Sequence, residues 1–267
     1  MANLKKSFLL VIVVVGCSLV SCELFDETTN PLSESEIIEG LKEALNIGLE
    51  NSVNSASSTG GYLQNEVIKI LLPEEVTELQ NKIQTESIGG IVPLSVVYDA
   101  YINIENGGND LFEELITAMN RGAESAASKA LPIFGDAILN MSFDDARGIL
   151  NGGETAATDF FQSTTSDALF TAFNPDVKEA LDATGANQLY TSTVSFLNYE
   201  YDPTGLGFNT VSPSDVLSVE LPESIDEYAT TKAIDGLFFL VGEEEKKIRE
   251  DPFAWGSSII ERVFGSN

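Results

Sequence analysis

Both cysteines, Cys17 and Cys22, lie within the first 22 residues of this 267-residue chain, and the chain contains no histidine. The remainder can therefore close no internal disulfide and has neither the thiolate nor the imidazole ligands of zinc sites. It must fold by burying a hydrophobic core, and its length suffices for one large domain or two small ones. The same composition excludes a Ser-His-Asp triad and a Cys-His catalytic pair.

The chain is strongly acidic, with 42 Asp and Glu against 14 Lys and Arg and a net charge of −28. Because nucleic-acid binding depends on Lys and Arg that neutralise phosphates, we expect no nucleic-acid partner. Residues 179–231 contain nine acids and no Lys or Arg. We expect this half to present a negative face that attracts cations or a basic protein partner.

The first 22 residues have the pattern of an export signal. Lys5 and Lys6 precede the apolar run Phe8–Val15, which is shorter than the roughly 20 residues of a transmembrane helix. The stretch Leu19–Cys22 resembles the lipobox of bacterial lipoproteins. This resemblance implies cleavage before Cys22 and a lipid on its sulfur.

Two acyl chains are enough to attach a protein stably to a bilayer. We therefore expect a lipid-anchored protein of the bacterial cell envelope, at the outer membrane and facing the periplasm or the cell surface. An ordinary cleaved signal, and a weaker lipobox match at Val14–Cys17, are the alternatives. We interpret residues 1–21 as a signal peptide, residues 22–31 as an acidic tether and residues 32–267 as one helical domain.

Apolar residues recur at helical spacing through the body of the chain, and no segment shows a convincing strand alternation. Ser33–Glu36 has the pattern of a capping box, and similar helix starts are predicted at Ser142 and Ser224. Asn174–Asp176 places a cap residue before a proline and predicts a helix that begins at Pro175. Residues 92–104 fit either a short strand or a helix. The sequence predicts an all-α single domain of roughly eight to ten helices.

Several segments carry a family resemblance, and they occur in this order: Gly60–Asn65 with Val67–Pro73, Met119–Glu124, Pro132–Ile138, Asp145–Gly153 with Ala156–Thr158, and Lys232–Phe238 with Glu243–Arg249. Over most of residues 35–265 they resemble a bacterial family known as domain of unknown function 4197. The resemblance implies a mostly helical, secreted or lipoprotein-like envelope protein, and it implies no activity, substrate or catalytic residue. Two departures are a longer stretch near residues 85–107 and Gly122 in place of a more typical Ala.

Two basic residues in apolar surroundings are candidates for a site. Arg121 lies in an Ala-rich stretch, where an unpaired charge is very costly. We expect it to pair with Glu124, Asp136 or Asp235, or else to anchor the anionic head of a ligand. Lys232 and Asp235 are three residues apart on an apolar helix, and we expect a buried ion pair there rather than a catalytic lysine.

The residues Glu243–Arg249 are interpreted as a solvated helix face with i,i+4 ion pairs, or as a docking site for a partner. The chain contains no calcium-loop or phosphate-binding motif, so we expect no dedicated metal site and no cofactor.

Three functions stay open at this point. The first is a non-catalytic binding or assembly module that is held at the bilayer by its acyl anchor and takes a basic protein or a small ligand as partner. The second is a carrier of a hydrophobic or anionic-headed ligand in a helical cavity, which the numerous aromatic residues favour. The third is an enzyme that uses carboxylates, Lys or Tyr.

Overall fold

A computed structural model describes residues 32–105, 107–183, 186–207, 210–218, 220–222 and 224–265. The predicted signal peptide, Cys22 and the tether lie outside these residues. From Leu32 onward the chain forms one compact unit. The described residues are mostly helical, with a single short two-stranded sheet, and the number of helices falls within the predicted range. The prediction of an all-α single domain is confirmed.

The helices and strands of the described chain have these bounds: α1 Glu34–Ser57, α2 Glu74–Thr85, β1 Ser87–Ile88, β2 Val92–Pro93, α3 Leu94–Glu105, α4 Leu111–Ala126, α5 Ala130–Asn140, α6 Phe143–Leu150, α7 Ala156–Ala183, α8 Ala186–Leu197, α9 Ile225–Glu250 and α10 Ser258–Phe264. Short 3-10 turns cover Ala127–Lys129, Pro213–Asp215 and Pro252–Trp255. Residues 92–104 contain both a short strand and a helix, the two structures considered for this stretch, because β2 ends at Pro93 and α3 begins at Leu94.

Helix α9 is central, since α1 and α7 both pack along it and α4 packs against α7, α8 and α9. Side chains spaced by four residues along α7, from Phe161 through Leu169, Phe173 and Val177 to Leu181, are fully buried and form one side of the core. Helix α10 lies close to the first turns of α1, where Gly40 leaves room for the Val263 side chain. The core therefore depends on close helix-to-helix contact along α9.

Two predicted capping boxes are present, and both arise from purely local contacts. The Ser33 N–H donates to the Glu36 carboxylate over 2.9 Å, and the Glu36 N–H donates to the Ser33 hydroxyl over 3.3 Å. The first of these bonds is the main cause that lowers the pKa of Glu36 to about 2. Ser142 and Asp145 form the same arrangement before α6. At Ser224 the helix begins as predicted, but the hydroxyl bonds to the Asp226 carboxylate and makes no cap hydrogen bond.

The prediction that a helix begins at Pro175 is wrong, because Pro175 lies inside the continuous helix α7. A proline at such a position removes one helical hydrogen bond. Burial of Phe173 and Val177 on the core side outweighs that loss. Asn174 donates to the Thr230 hydroxyl of α9 over 3.4 Å instead of capping a helix.

Gly122 faces α7 in a space that would accept a methyl group. A Cβ added there would meet the Val177 carbonyl oxygen at 3.5 Å and the Ala180 Cβ at 3.6 Å, which are ordinary van der Waals contacts. Gly236 on α9 is different, because a Cβ there would lie 2.8 Å from Tyr62 Cε1 and 3.1 Å from Ile68 Cβ.

We predict that Gly122→Ala stabilises the protein by about 0.5–1 kcal/mol, the usual gain when Ala replaces Gly inside a helix. The matched change Gly236→Ala is expected to destabilise it by about 1–3 kcal/mol through overpacking. Urea unfolding of both variants measures the two effects. A destabilised Gly122→Ala protein would show that α4 and α7 approach more closely than the structure describes.

Candidate functional site

Arg121 and Glu124 form an ion pair on α4, with 2.6 Å between Arg121 Nη1 and Glu124 Oε2. The Glu124 side chain is 7 % exposed and that of Arg121 is 36 % exposed. Of the three carboxylates considered as partners, Glu124 is the one that contacts Arg121 within the described chain. Asp136 lies exposed on α5, and Asp235 pairs with Lys232 on α9.

The other oxygen of Glu124 binds the turn that follows α1. Glu124 Oε1 accepts the backbone N–H groups of Gly60, Tyr62 and Leu63 at 3.1, 3.3 and 3.1 Å. Leaving such buried amides without an acceptor would cost free energy at each of them. Glu124 therefore fixes the beginning of residues 58–73, which we call the α1–α2 connection.

Tyr62 ties the α1–α2 connection to α9. It is fully buried, and its hydroxyl donates to the Ala233 carbonyl oxygen over 2.6 Å. Burial, and to a smaller extent the Glu124 carboxylate, raise the pKa of Tyr62. Gly61 permits this geometry, because a Cβ there would lie 2.3 Å from the Ser55 carbonyl oxygen.

Asn120 holds the second half of the α1–α2 connection. Its Oδ1 accepts the Ile70 N–H and its Nδ2 donates to the Ile70 carbonyl, both over 2.8 Å. Nδ2 also donates to the Ile116 carbonyl over 2.7 Å. Sequence analysis missed this residue, although an Asn within an otherwise apolar helix face is a signal for a buried polar contact.

The expectation of a buried pair at Lys232 and Asp235 is wrong. The pair forms over 3.2 Å, but the two side chains are 47 % and 52 % exposed. The reason is the orientation of α9, which turns the intervening Ala233 and Ile234 toward the core. Lys232 is thus a surface lysine, and its surroundings do not desolvate it.

The residues Glu243–Arg249 are only partly the solvated helix face that we expected. Lys246 and Lys247 form surface ion pairs with Glu243 and Glu244. Glu245, in contrast, is buried.

Glu245 binds the first turn of α7. Its carboxylate accepts the Ala157 N–H over 2.9 Å and both the N–H and the hydroxyl of Thr158 over 2.8 Å. Arg249 donates to Glu245 Oε1 over 2.8 Å and to the Ile149 carbonyl of α6 over 2.8 Å. Glu245 and Arg249 therefore join the end of α6 to the start of α7.

These two buried carboxylates are poorly suited to acid–base chemistry. A carboxylate has about four acceptor positions, and Glu124 accepts four hydrogen bonds while Glu245 accepts five. Glu124 Oε1 and both oxygens of Glu245 are thus fully engaged, and Glu124 Oε2 faces the Arg121 guanidinium. Their arrangement stabilises the fold, which favours the structural interpretation of Arg121.

A surface groove of about 320 Å³ lies between residues 67–71 and one face of α9. We call it the α9 groove. The exposed apolar side chains Val67, Leu71 and Phe239 line it, together with Lys69 and the Lys232–Asp235 ion pair. The combination of apolar side chains and lysines in so acidic a chain identifies it as a candidate binding site.

A second open groove, of about 470 Å³, lies between α5 and α7. It contains Asp136 and Asp145, two carboxylates that a hydrolytic site would need. Asp145 is engaged by Ser142, whose hydroxyl donates to it over 2.6 Å and whose hydrogen bonds lower the pKa of Asp145. Asp145 is thus committed to the capping box at the start of α6.

Within the described ranges, no group of three or more Asp, Glu, His or Cys is arranged to hold a metal ion. In the same part of the chain, every buried polar side-chain atom has a hydrogen-bond partner. None of the described helices combines the length and the apolar character that a membrane crossing requires.

The protein is an all-α domain in which two buried carboxylates, Glu124 and Glu245, accept backbone N–H groups and so hold a loop and the start of a helix in place. The family model of a protein of unknown function, DUF4197, matches residues 31–93 and 97–265. The chain therefore belongs to the DUF4197 family. The break in the match falls within residues 85–107, where the sequence differs from the family pattern. Neither curated proteins nor solved structures yielded a match.

We predict that Glu124→Ala destabilises the protein by roughly 3–5 kcal/mol, because it leaves three amides and Arg121 without their acceptor. Arg121→Ala is expected to cost less, about 1–2 kcal/mol, since Glu124 keeps its three amide donors. Lys232→Ala is the surface control, with an effect of about 0.5 kcal/mol or less. Urea unfolding measures the free energy of unfolding of the three variants and ranks their effects. Equal effects of Glu124→Ala and Lys232→Ala would contradict the structural role of Glu124.

Proposed function

We propose that this protein is a lipid-anchored, non-catalytic binding module of the bacterial cell envelope, and that the α9 groove is its binding surface. The positive, apolar and lipobox-like stretches of residues 1–22 support the anchor. Membership of a family of unknown function is compatible with this proposal and adds no activity to it. The observation that carries the binding role is the exposed apolar groove beside Lys69, for which the described residues supply no ion pair.

The carboxylates are engaged in structural hydrogen bonds, which favours a binding function over a catalytic one. The Glu124 and Glu245 carboxylates accept hydrogen bonds from backbone amides and arginines, and the Asp145 carboxylate accepts them from Ser142 in a capping box. The chain also has no histidine and no cysteine after Cys22. A reaction would need a general acid, base or nucleophile that faces a cleft.

Binding at the surface is also favoured over a carrier with an internal cavity. The aromatic residues that suggested a carrier are used in packing: Phe161 contacts Phe134 at 5.4 Å between ring centroids, and Phe196 contacts Tyr98 at 5.3 Å. Phe239 is different, because it is exposed at the α9 groove. The groove is open to solvent, which suits a macromolecular partner better than a sequestered ligand.

The anchor is tested by Cys22→Ser. We expect metabolic labelling with a palmitate analogue to mark the wild type and to leave the variant unlabelled, with the variant uncleaved or released from the membrane fraction. Cys17→Ser is the matched control and is expected to keep the label. Label retained in Cys22→Ser and lost in Cys17→Ser would move the anchor to Cys17. Label retained in both variants would refute the assignment of the lipid to Cys22.

The binding surface is tested by photocrosslinking in cells. A photoreactive phenylalanine analogue at position 71 is expected to give a discrete protein adduct. The same analogue at position 139, where Leu139 is exposed on α5 and lies outside the groove, is the control and is expected to give none. Adducts of equal yield at both positions, or none at position 71, would contradict the assignment of the α9 groove.

A further inference from the structure

The chain along one side of the α9 groove leaves a turn at Ile68 and from Lys69 to Pro73 lies outside any described helix or sheet. Burial alternates residue by residue from Ile68 to Leu72, with Ile68, Ile70 and Leu72 inside and Lys69 and Leu71 facing out. A period of two is the pattern of an extended chain. No described strand pairs with this segment, because the two strands of the described sheet lie at residues 87–93.

One edge of this segment is occupied and the other is partly open. The amide and carbonyl of one residue in an extended chain point to the same edge, and those of the next residue point to the opposite edge. Ile70 uses both groups on Asn120. On the opposite edge the Lys69 N–H donates to the Asn65 carbonyl over 2.9 Å, and the Leu71 carbonyl accepts the Tyr228 hydroxyl over 3.1 Å. The Leu71 N–H and the Lys69 carbonyl have no hydrogen-bond partner among the described residues.

The side chains beside the open edge have a distinct chemistry. Val67, Leu71 and Phe239 are exposed apolar groups. Lys69 forms no ion pair with any residue that the structure describes, although the chain has three times as many acids as bases. A carboxylate on a partner would complement Lys69, and apolar side chains on either side of it would cover Leu71 and Phe239.

The position of the groove favours a protein over the bilayer as the occupant. Leu32 lies at the start of α1, whereas the α1–α2 connection follows its end. With 24 residues, α1 spans about 36 Å at 1.5 Å per residue. Helix α9 runs antiparallel to α1, as the contacts of Gly48 with Ile248 and of Asn51 with Glu244 show. The groove is therefore at the end of α1 remote from Leu32, the residue that follows the proposed tether in the sequence.

We propose that the α9 groove binds an extended segment of a partner protein as an added strand. The segment pairs with the backbone of Lys69 and Leu71, places a carboxylate on Lys69 and sets apolar side chains against Leu71 and Phe239. Main-chain pairing of this kind supplies affinity, and the alternate side chains supply specificity. This inference rests on the proposed binding function and names the chemistry of the partner. A second copy of this chain is disfavoured by the mutual repulsion of two molecules of charge −28.

The test begins with the purified protein and a phage-displayed library of random decapeptides. We expect the enriched peptides to carry an Asp or Glu between apolar residues. Lys69→Glu and Leu71→Ser are expected to weaken binding of the synthetic peptides by about tenfold or more. Lys178→Glu, at an exposed lysine outside the groove, is the charge control for Lys69→Glu. Leu139→Ser is the apolar control for Leu71→Ser. Both control variants are expected to keep the affinity for the peptides within about twofold of the wild type.

Backbone pairing is tested on the same synthetic peptides. N-methylation of alternate peptide residues is expected to abolish binding at one parity and to spare it at the other, because only every second residue of an added strand faces the groove edge. Indifference of binding to N-methylation, or to Lys69→Glu, overturns the inference. So does the absence of any enriched peptide.

The last alternative to be tested is that the α9 groove binds a lipid bilayer. Vesicles of phosphatidylcholine with phosphatidylglycerol that bind the wild type and not Lys69→Glu would assign the groove to lipid and overturn the inference. The photocrosslink at position 71 distinguishes failure of the added-strand inference from failure of the proposed binding function. If that adduct forms while the peptides fail, the groove binds a protein by other means, and only the added strand is refuted.

Discussion

The Glu124 carboxylate is the contact on which the arrangement of α1, α4 and α9 depends. Residues 58–73 have no long helix or strand of their own, yet their buried amides must find acceptors when the chain passes between α4 and α9. Glu124 supplies three of these bonds, and Asn120, one turn earlier on α4, supplies the pair at Ile70. Tyr62 then donates to α9. Without histidine or a usable cysteine, the chain holds this irregular segment with side-chain hydrogen bonds instead of a metal or a disulfide.

Glu245 has the same role at another irregular junction, between α6 and α7. In both places a buried carboxylate accepts amides from a distant segment and is paired with an arginine on its own helix. The segments that carry the family resemblance fall mainly into these two groups. The first contains Gly60–Asn65, Val67–Pro73, Met119–Glu124 and Lys232–Phe238, and the second contains Asp145–Gly153, Ala156–Thr158 and Glu243–Arg249. The segments that carry the resemblance therefore coincide with contacts that hold the domain together.

Local features were predictable from the sequence and distant ones were not. The capping boxes at Ser33 and Ser142 involve residues three apart, so their patterns suffice. The Arg121–Glu124 pair is likewise local. Pro175 misled the prediction because its helix is continued by burial against other helices, a contribution that no local pattern contains. Glu245 was misread because its amide donors at Ala157 and Thr158 are 88 and 87 residues away. The α9 groove was also beyond prediction, since the alternation of Ile68–Leu72 shows fully only in burial, where Leu71 is exposed between the buried Ile70 and Leu72.

The net charge of −28 and the open edge beside Lys69 are physically connected. An unpaired extended edge with exposed apolar neighbours promotes association between identical chains. Strong like charge on every copy opposes that association at long range, while a short partner segment carries too little charge to be repelled comparably. Lys69 adds a local attraction for one carboxylate within a repulsive surface. The acidic composition would then oppose self-pairing and leave the proposed edge available to a partner.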